Sequence, residues 1–138
     1  MACLLDVIQQ YEVLEELTKK PIMYPVLHWW NGSDSGTRAA VKVGSYLSIH
    51  SATANYSRFP KFVPLERILL ETDHGYDDAP SLIPGRIESV ENIVSIKYQT
   101  ESRALRKIVW KNFGRLIEET KTRSLVSEPL IRFLEGRE

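Results

Sequence analysis

The sequence predicts an α/β fold of three short parallel strands with flanking helices. Three observations predict it. Short apolar runs alternate with segments whose apolar residues recur every three or four positions. The apolar runs are solid rather than alternating, as in parallel strands covered on both faces. Polar stretches with Gly and Pro separate them, giving the order helix, strand, helix, strand, loop, strand, helix, helix.

Leu4, Val7, Ile8, Tyr11, Leu14 and Leu17 form the stripe of a first amphipathic helix over 4–19, which Pro21 stops. Ile22 to Leu27 reads as a buried strand ending at His28, with Pro25 limiting its ladder bonds. Asn31-Gly32-Ser33-Asp34 is turn chemistry, and Ser33 or Asp34 caps a second helix through Arg38, Ala39, Ala40, Val41 and Val43. Gly44 is its stop. Tyr46 to Ile49 is a second strand, followed by a loop or short helix around Asn55 to Phe62. Leu65 to Glu71 leads into a third strand with Ile68 to Leu70 as its apolar core. Thr72 to Pro84 is irregular. Val90, Ile93, Val94 and Lys97 mark one helix. Leu105, Ile108, Val109, Phe113, Leu116 and Ile117 mark a longer one. Ser127-Glu128-Pro129 opens a last helix with a polar cap and an early Pro.

The chain has 138 residues, 43% hydrophobic and 26% charged, which suits one soluble domain over 1–138 and excludes a disordered chain. No uncharged apolar run approaches the roughly 18 residues of a membrane span. The N-terminus lacks a signal peptide's basic and apolar regions. The single Cys3 excludes an internal disulfide and fits a reducing compartment, so a cytoplasmic location is expected. Eighteen basic and eighteen acidic residues cancel, so the whole-chain field exerts no general pull on nucleic acid. No P-loop, dinucleotide fingerprint, paired cysteines or Gly-x-Ser-x-Gly occurs.

In parallel α/β folds, reactive groups gather at the carboxyl ends of strands. His28 ends the first strand and Asp73 the third. An imidazole and a carboxylate are typical ligands of a divalent metal. Taken singly, His28 reads as a hydrogen-bonded structural histidine and Asp73 as a turn or cap aspartate. Glu71, two residues before Asp73, shares its face one layer deeper and is placed to support its neighbours. His74 reads as a loop histidine or a substrate contact. His50 reads as a surface residue or one beside the site. Trp29 and Trp30 offer a stacking surface for a base or sugar, or cap the sheet. Arg86, after Pro84-Gly85, is a candidate for a phosphate or a solvated loop arginine. Asp77 and Asp78 read as loop acids.

Pro64 to Asp73 resembles the final barrel strand of the TatD-like metal-dependent deoxyribonucleases, whose hallmark there is Pro-Leu-Asp/Glu-Arg-Leu-Leu-Leu-Glu-Thr-Asp. Val26-Leu27-His28-Trp29-Trp30-Asn31-Gly32-Ser33 is similar to the family's His-Cys-Phe-Ser-Gly-Ser segment. Gly44-Ser45-Tyr46-Leu47-Ser48-Ile49 resembles its Gly-Phe-Tyr-Ile-Ser-Phe strand. Lys111-Asn112-Phe113-Gly114-Arg115-Leu116 resembles the Glu-Asn-Phe-x-Arg-Leu of its last helix. The likeness spans roughly residues 4–119 in the family's order, with 120–138 a helical extension.

The resemblance implies the C-terminal part of a TIM-like (β/α)8 barrel of the amidohydrolase superfamily. It implies His28 and Asp73 as ligands of a divalent ion (zinc, magnesium or manganese). It gives Asp73 the proton of the attacking water and DNA as substrate, with His74, Trp29 and Arg86 as substrate contacts. The family's His-x-His of the first strand, glutamate of the fourth and histidine of the fifth have no counterpart here. Two ligands alone predict weak metal binding and little hydrolysis by the isolated chain. An open edge beside the first strand predicts a partner. That partner is an N-terminal barrel portion on another chain, or a second copy, and Met1 can equally be an internal methionine of a longer protein. The alternative is a non-catalytic half barrel for binding or assembly. The His28-Trp29-Trp30 and Asp73-His74 variants suggest a divergent branch, resembling the TatD-like member of Qat-type antiphage defence systems.

Overall fold

The computed structural model describes residues 24–54, 63–73 and 87–136. The expected helix over 4–19, the start of the first strand at Ile22 and Met23, and the segment 55–62 lie outside the described residues. The strands are β1 (Val26–Leu27), β2 (Tyr46–Ile49) and β3 (Ile68–Leu70). The helices are α1 (Asp34–Lys42), α2 (Ser51–Ala54), α3 (Glu88–Lys97), α4 (Ser102–Thr120) and α5 (Glu128–Leu134). Single 3-10 turns span Leu65–Arg67 and Arg123–Leu125.

The three strands form one parallel sheet in the order β1-β2-β3. Leu27 pairs with Leu47, and Leu47 with Ile68, so the centre of the sheet is apolar across its width. The hydrogen bonding runs past the strand ends. Tyr46 N–H donates to the Pro25 carbonyl, Trp30 N–H to that of Ser48, and Glu71 N–H to that of Ile49. Pro25 lacks an N–H, yet its carbonyl still serves the ladder. Among the described residues, β1 and β3 each pair only with β2.

Leu47, Ile49 and Ile68 are fully buried. They form one core with Ala40 of α1, Ala54 of α2, Val90 and Val94 of α3, and Leu105 of α4. The helices sit where their caps allow. The Ser33 hydroxyl accepts the Gly36 N–H at the start of α1. Asp34 and Lys42 complement the helix dipole at its two ends. Gly44 takes φ 77° just past α1, a value that glycine adopts without a Cβ penalty.

The long α4 is locked to β3 by a buried side chain. The Asn112 amide donates to the carbonyls of Leu65 at 2.7 Å and Ile68 at 2.9 Å. At α5, Pro129 takes the expected early position, but the Ser127 side chain makes no capping bond. Its carbonyl accepts the Ile131 N–H instead. The short α2 at 51–54 is a single helical turn directly after β2, ahead of the segment 55–62 where the sequence predicts a loop or short helix.

Candidate active site at the carboxyl ends of the strands

Of the three segments that leave the sheet at its carboxyl end, those after β1 and β3 turn sharply. Trp29 has φ 42° and Asp73 φ 46°. The left-handed region is unfavourable for side chains with a Cβ, by roughly 1–2 kcal/mol per residue. These two turns keep His28 and Asp73 at the mouth of the sheet instead of carrying them away from it.

The His28 ring stands between two carboxylates. Its Nδ1 lies 2.8 Å from Glu71 Oε2, and its Nε2 lies 3.4 Å from Asp73 Oδ1. The second separation is longer than an ordinary hydrogen bond. The His28 side chain is 64% exposed and that of Asp73 31%, whereas Glu71 is held deeper at 16%. Glu71 also accepts the Trp29 N–H at 2.7 Å and the Ser48 hydroxyl at 2.5 Å. The Glu71 hydrogen bond, then its charge, with Asp73 adding to it, raises the His28 pKa above its ordinary value.

The donor set can be tested against a divalent ion. Two ligands about 2.1 Å from a shared tetrahedral ion stand about 3.4 Å apart. The His28–Asp73 separation matches that bite. Among the described residues, no group of three or more His, Cys, Asp and Glu side chains is arranged to hold an ion. The fit is therefore to a two-ligand half site.

The two tryptophans separate cleanly. Trp30 is buried, with Nε1 donating to Thr37 Oγ1 at 2.9 Å. A Cβ on Gly32 would lie 2.2 Å from the Trp30 ring, so the glycine admits the indole into the core. Trp29 is 41% exposed, its ring 4.5 Å from that of His50 and tilted by 45°. His50 Nδ1 accepts the Ala52 N–H, which leaves the ring as backing for Trp29. His74, Arg86, Asp77 and Asp78 lie outside the described residues.

A cavity of about 750 Å³ opens beside β3 and reaches Asp73. Ser48, Leu69 and Glu71 line its sheet side, and Val109, Trp110 and Phe113 of α4 its helix side. The buried Glu91 carboxylate on its wall is held by the Arg106 guanidinium through two nitrogens. No helix among the described residues is long and apolar enough to cross a membrane.

The family model described as TatD related DNase matches residues 8–118. No curated protein matches the chain.

Proposed function

The chain belongs to the TatD related DNase family, a family of metal-dependent nucleases, and from that premise we propose that it supplies part of the active site of a hydrolase that cleaves DNA phosphodiester bonds. The observation that carries this reading is the His28 Nε2–Asp73 Oδ1 pair at the carboxyl ends of β1 and β3. Its residue types and its spacing suit a shared divalent ion (zinc, magnesium or manganese). Such an ion, when bound, lowers the pKa of water and stabilises charge on a phosphate. Asp73, partly exposed, accepts the proton of the attacking water. Trp29 presents its exposed face to a base. His74 and Arg86 follow in sequence as further substrate contacts.

Two protein ligands leave an ion mostly hydrated and poorly positioned, so the isolated chain binds metal weakly and hydrolyses little. The missing ligands come from an N-terminal barrel portion, carried on another chain, or from a second copy. The edge of β3, which pairs only with β2 among the described residues, and the apolar cavity beside it support docking there. The His28-Trp29-Trp30 and Asp73-His74 variants support placement with the TatD-like member of Qat-type antiphage defence systems, acting in the cytoplasm.

The test is a DNA hydrolysis assay with Mn²⁺, Zn²⁺ or Mg²⁺. It compares the chain alone with the chain mixed with a polypeptide carrying the missing barrel strands. Hydrolysis is expected only in the mixture and is lost in His28→Ala and Asp73→Ala. Activity that survives both substitutions removes the assignment. The two-ligand set also favours a second reading, a non-catalytic half barrel for binding or assembly. A mixture that assembles without hydrolysing DNA selects it.

A further inference from the structure

Glu71 contacts residues of or beside all three strands at the mouth of the sheet. It leaves the end of β3, crosses β2 at Ser48 and meets the chain that follows β1. Oε1 accepts the Trp29 N–H at 2.7 Å, while Oε2 takes the Ser48 hydroxyl at 2.5 Å and faces His28 Nδ1 at 2.8 Å. One carboxylate thus joins all three strands at the level of the site.

An ionised carboxylate only accepts hydrogen bonds. The His28 nitrogen that faces it must therefore carry a hydrogen. In a neutral imidazole this leaves the lone pair on the other nitrogen, Nε2, which points to Asp73. The Trp29 N–H bond acts on the same ring. Trp29 sits at φ 42°, a backbone conformation that persists only where its surroundings enforce it. Two bonds enforce it here: Trp29 N–H to Glu71, and Trp30 N–H to the Ser48 carbonyl at 3.0 Å. The turn and the ring are held by the same group.

We propose that Glu71 is the positioning residue of this site: it fixes His28 as the Nδ1–H tautomer and presents the Nε2 lone pair to a cation shared with Asp73. The inference rests on the reading of His28 and Asp73 as metal ligands. Outer carboxylates of this kind change metal affinity by roughly 10–100-fold.

Glu71→Gln is the informative substitution because it keeps the shape and changes the donors. The amide oxygen is claimed by the Trp29 N–H, which has no other partner within its turn. The amide NH2 then faces His28 Nδ1 and can only donate to it. The imidazole must accept at Nδ1 and move its hydrogen to Nε2.

The experiment is nitrogen-15 NMR of the imidazoles in the metal-free 138-residue chain at alkaline pH, where the rings are neutral. The chain has three histidines, so His50→Ala and His74→Ala assign the signals by difference. His28 is expected as the Nδ1–H tautomer in the unsubstituted chain and in Ser48→Ala, and as Nε2–H in Glu71→Gln. A His28 that is Nε2–H in the unsubstituted chain overturns the proposal without any variant having to fold. So does a Glu71→Gln chain that keeps Nδ1–H. Manganese broadening of the His28 signals then tests the reading beneath it. It should be weaker in Glu71→Gln by the same 10–100-fold in apparent affinity. Equal broadening in the two overturns the positioning role. No broadening in either, with the tautomers as expected, removes the metal and keeps the hold of Glu71 on His28.

Discussion

The two ends of the sheet are each organised by one glutamate, and the two are spent differently. At the amino end, Glu119 of α4 accepts the Tyr46 hydroxyl at 2.9 Å and Arg67 Nη1 at 3.0 Å. Arg67 also donates to the Gly44 carbonyl and lies 4.9 Å from the centre of the Tyr46 ring. Arg115 of the same helix donates to the Glu66 carbonyl. The charges of Glu119, Arg67 and Arg115 there each meet an opposite charge, a hydroxyl or a backbone carbonyl, and the positive φ that leads into β2 falls on Gly44. At the carboxyl end, Glu71 and Asp73 share a single imidazole, and the positive φ values fall on Trp29 and Asp73 themselves. The other two non-glycine residues with positive φ among those described, Gln99 and Lys121, follow the last turns of α3 and α4, where that conformation is ordinary.

The difference separates what holds the sheet from what the sheet holds. Groups that are matched and unstrained contribute to stability. Two carboxylates crowded on one imidazole, on strained backbone, persist because surrounding structure enforces them. Parallel α/β barrels show this division generally, with chemistry at the carboxyl ends and stability at the amino ends.

The largest expected effect lies at the carboxyl end. Asp73→Asn keeps the size of the side chain and tolerates the left-handed turn, since asparagine visits that region readily. It removes the proposed proton acceptor and one carboxylate beside His28. Hydrolysis by the assembled protein should fall by about 10²–10⁴-fold, the usual worth of a positioned general base. The melting temperature should hold or rise. Paired assays of activity and thermal unfolding check both. A variant that loses stability along with activity breaks the comparison, because the carboxyl end would then be supporting the fold as well.

Much of this division was legible in the sequence. Tyr46 to Ile49 reads as a solid apolar strand because both of its faces are covered, and the structure keeps those limits. Ser33 and Gly44 declare the ends of α1 through side-chain and backbone chemistry that act locally. Strand ends likewise single out His28 and Asp73. The grip of Glu71 on His28 was not legible in the same way. Spacing alone put Glu71 on the face of Asp73, but its partner depends on the turn at Trp29 and on a register set by residues 42 or more positions away. Two adjacent tryptophans could not be told apart until Gly32 opened a slot for one of them. The Glu119 cluster joins α4 to residues more than 50 positions earlier, with no local pattern to announce it.

Next in size is Asn112→Ala. Asn112 is 1% exposed, and its amide serves two carbonyls at the amino end of β3. Losing it leaves the Leu65 and Ile68 carbonyls without that donor, at about 2–4 kcal/mol of unfolding free energy for buried groups of this kind. Urea unfolding measures it. The His28 tautomer should be unchanged, and a shift there would mean the two ends are coupled through β3. Glu119→Gln is milder. The amide oxygen still accepts one bond, so the expected cost is about 1.5 kcal/mol, the low end for one hydrogen bond to a charged group.

The smallest effect is also the most selective, because it is read at one phenol. Burial first, then the hydrogen bond and charge of Glu119, push the Tyr46 pKa up to about 12, against a partial pull down from Arg67 and Arg115. Tyrosine ordinarily ionises near pH 10. The folded state therefore holds this proton more tightly than the unfolded chain does. The stabilisation is fully present below about pH 10 and is lost as the pH rises towards about 12. Difference absorbance of the phenolate, read directly after a jump to alkaline pH, should show this tyrosine among the last of the six to ionise. Burial raises Tyr98 in the same direction, so Tyr46→Phe is needed to identify the step. Glu119→Gln should bring the Tyr46 step back towards its ordinary value without reaching it, since burial remains. His28→Ala and Glu71→Gln should leave it in place. A Tyr46 step that ignores Glu119, or that moves with substitutions at the carboxyl end, would show that the two glutamates do not govern separate ends of the sheet.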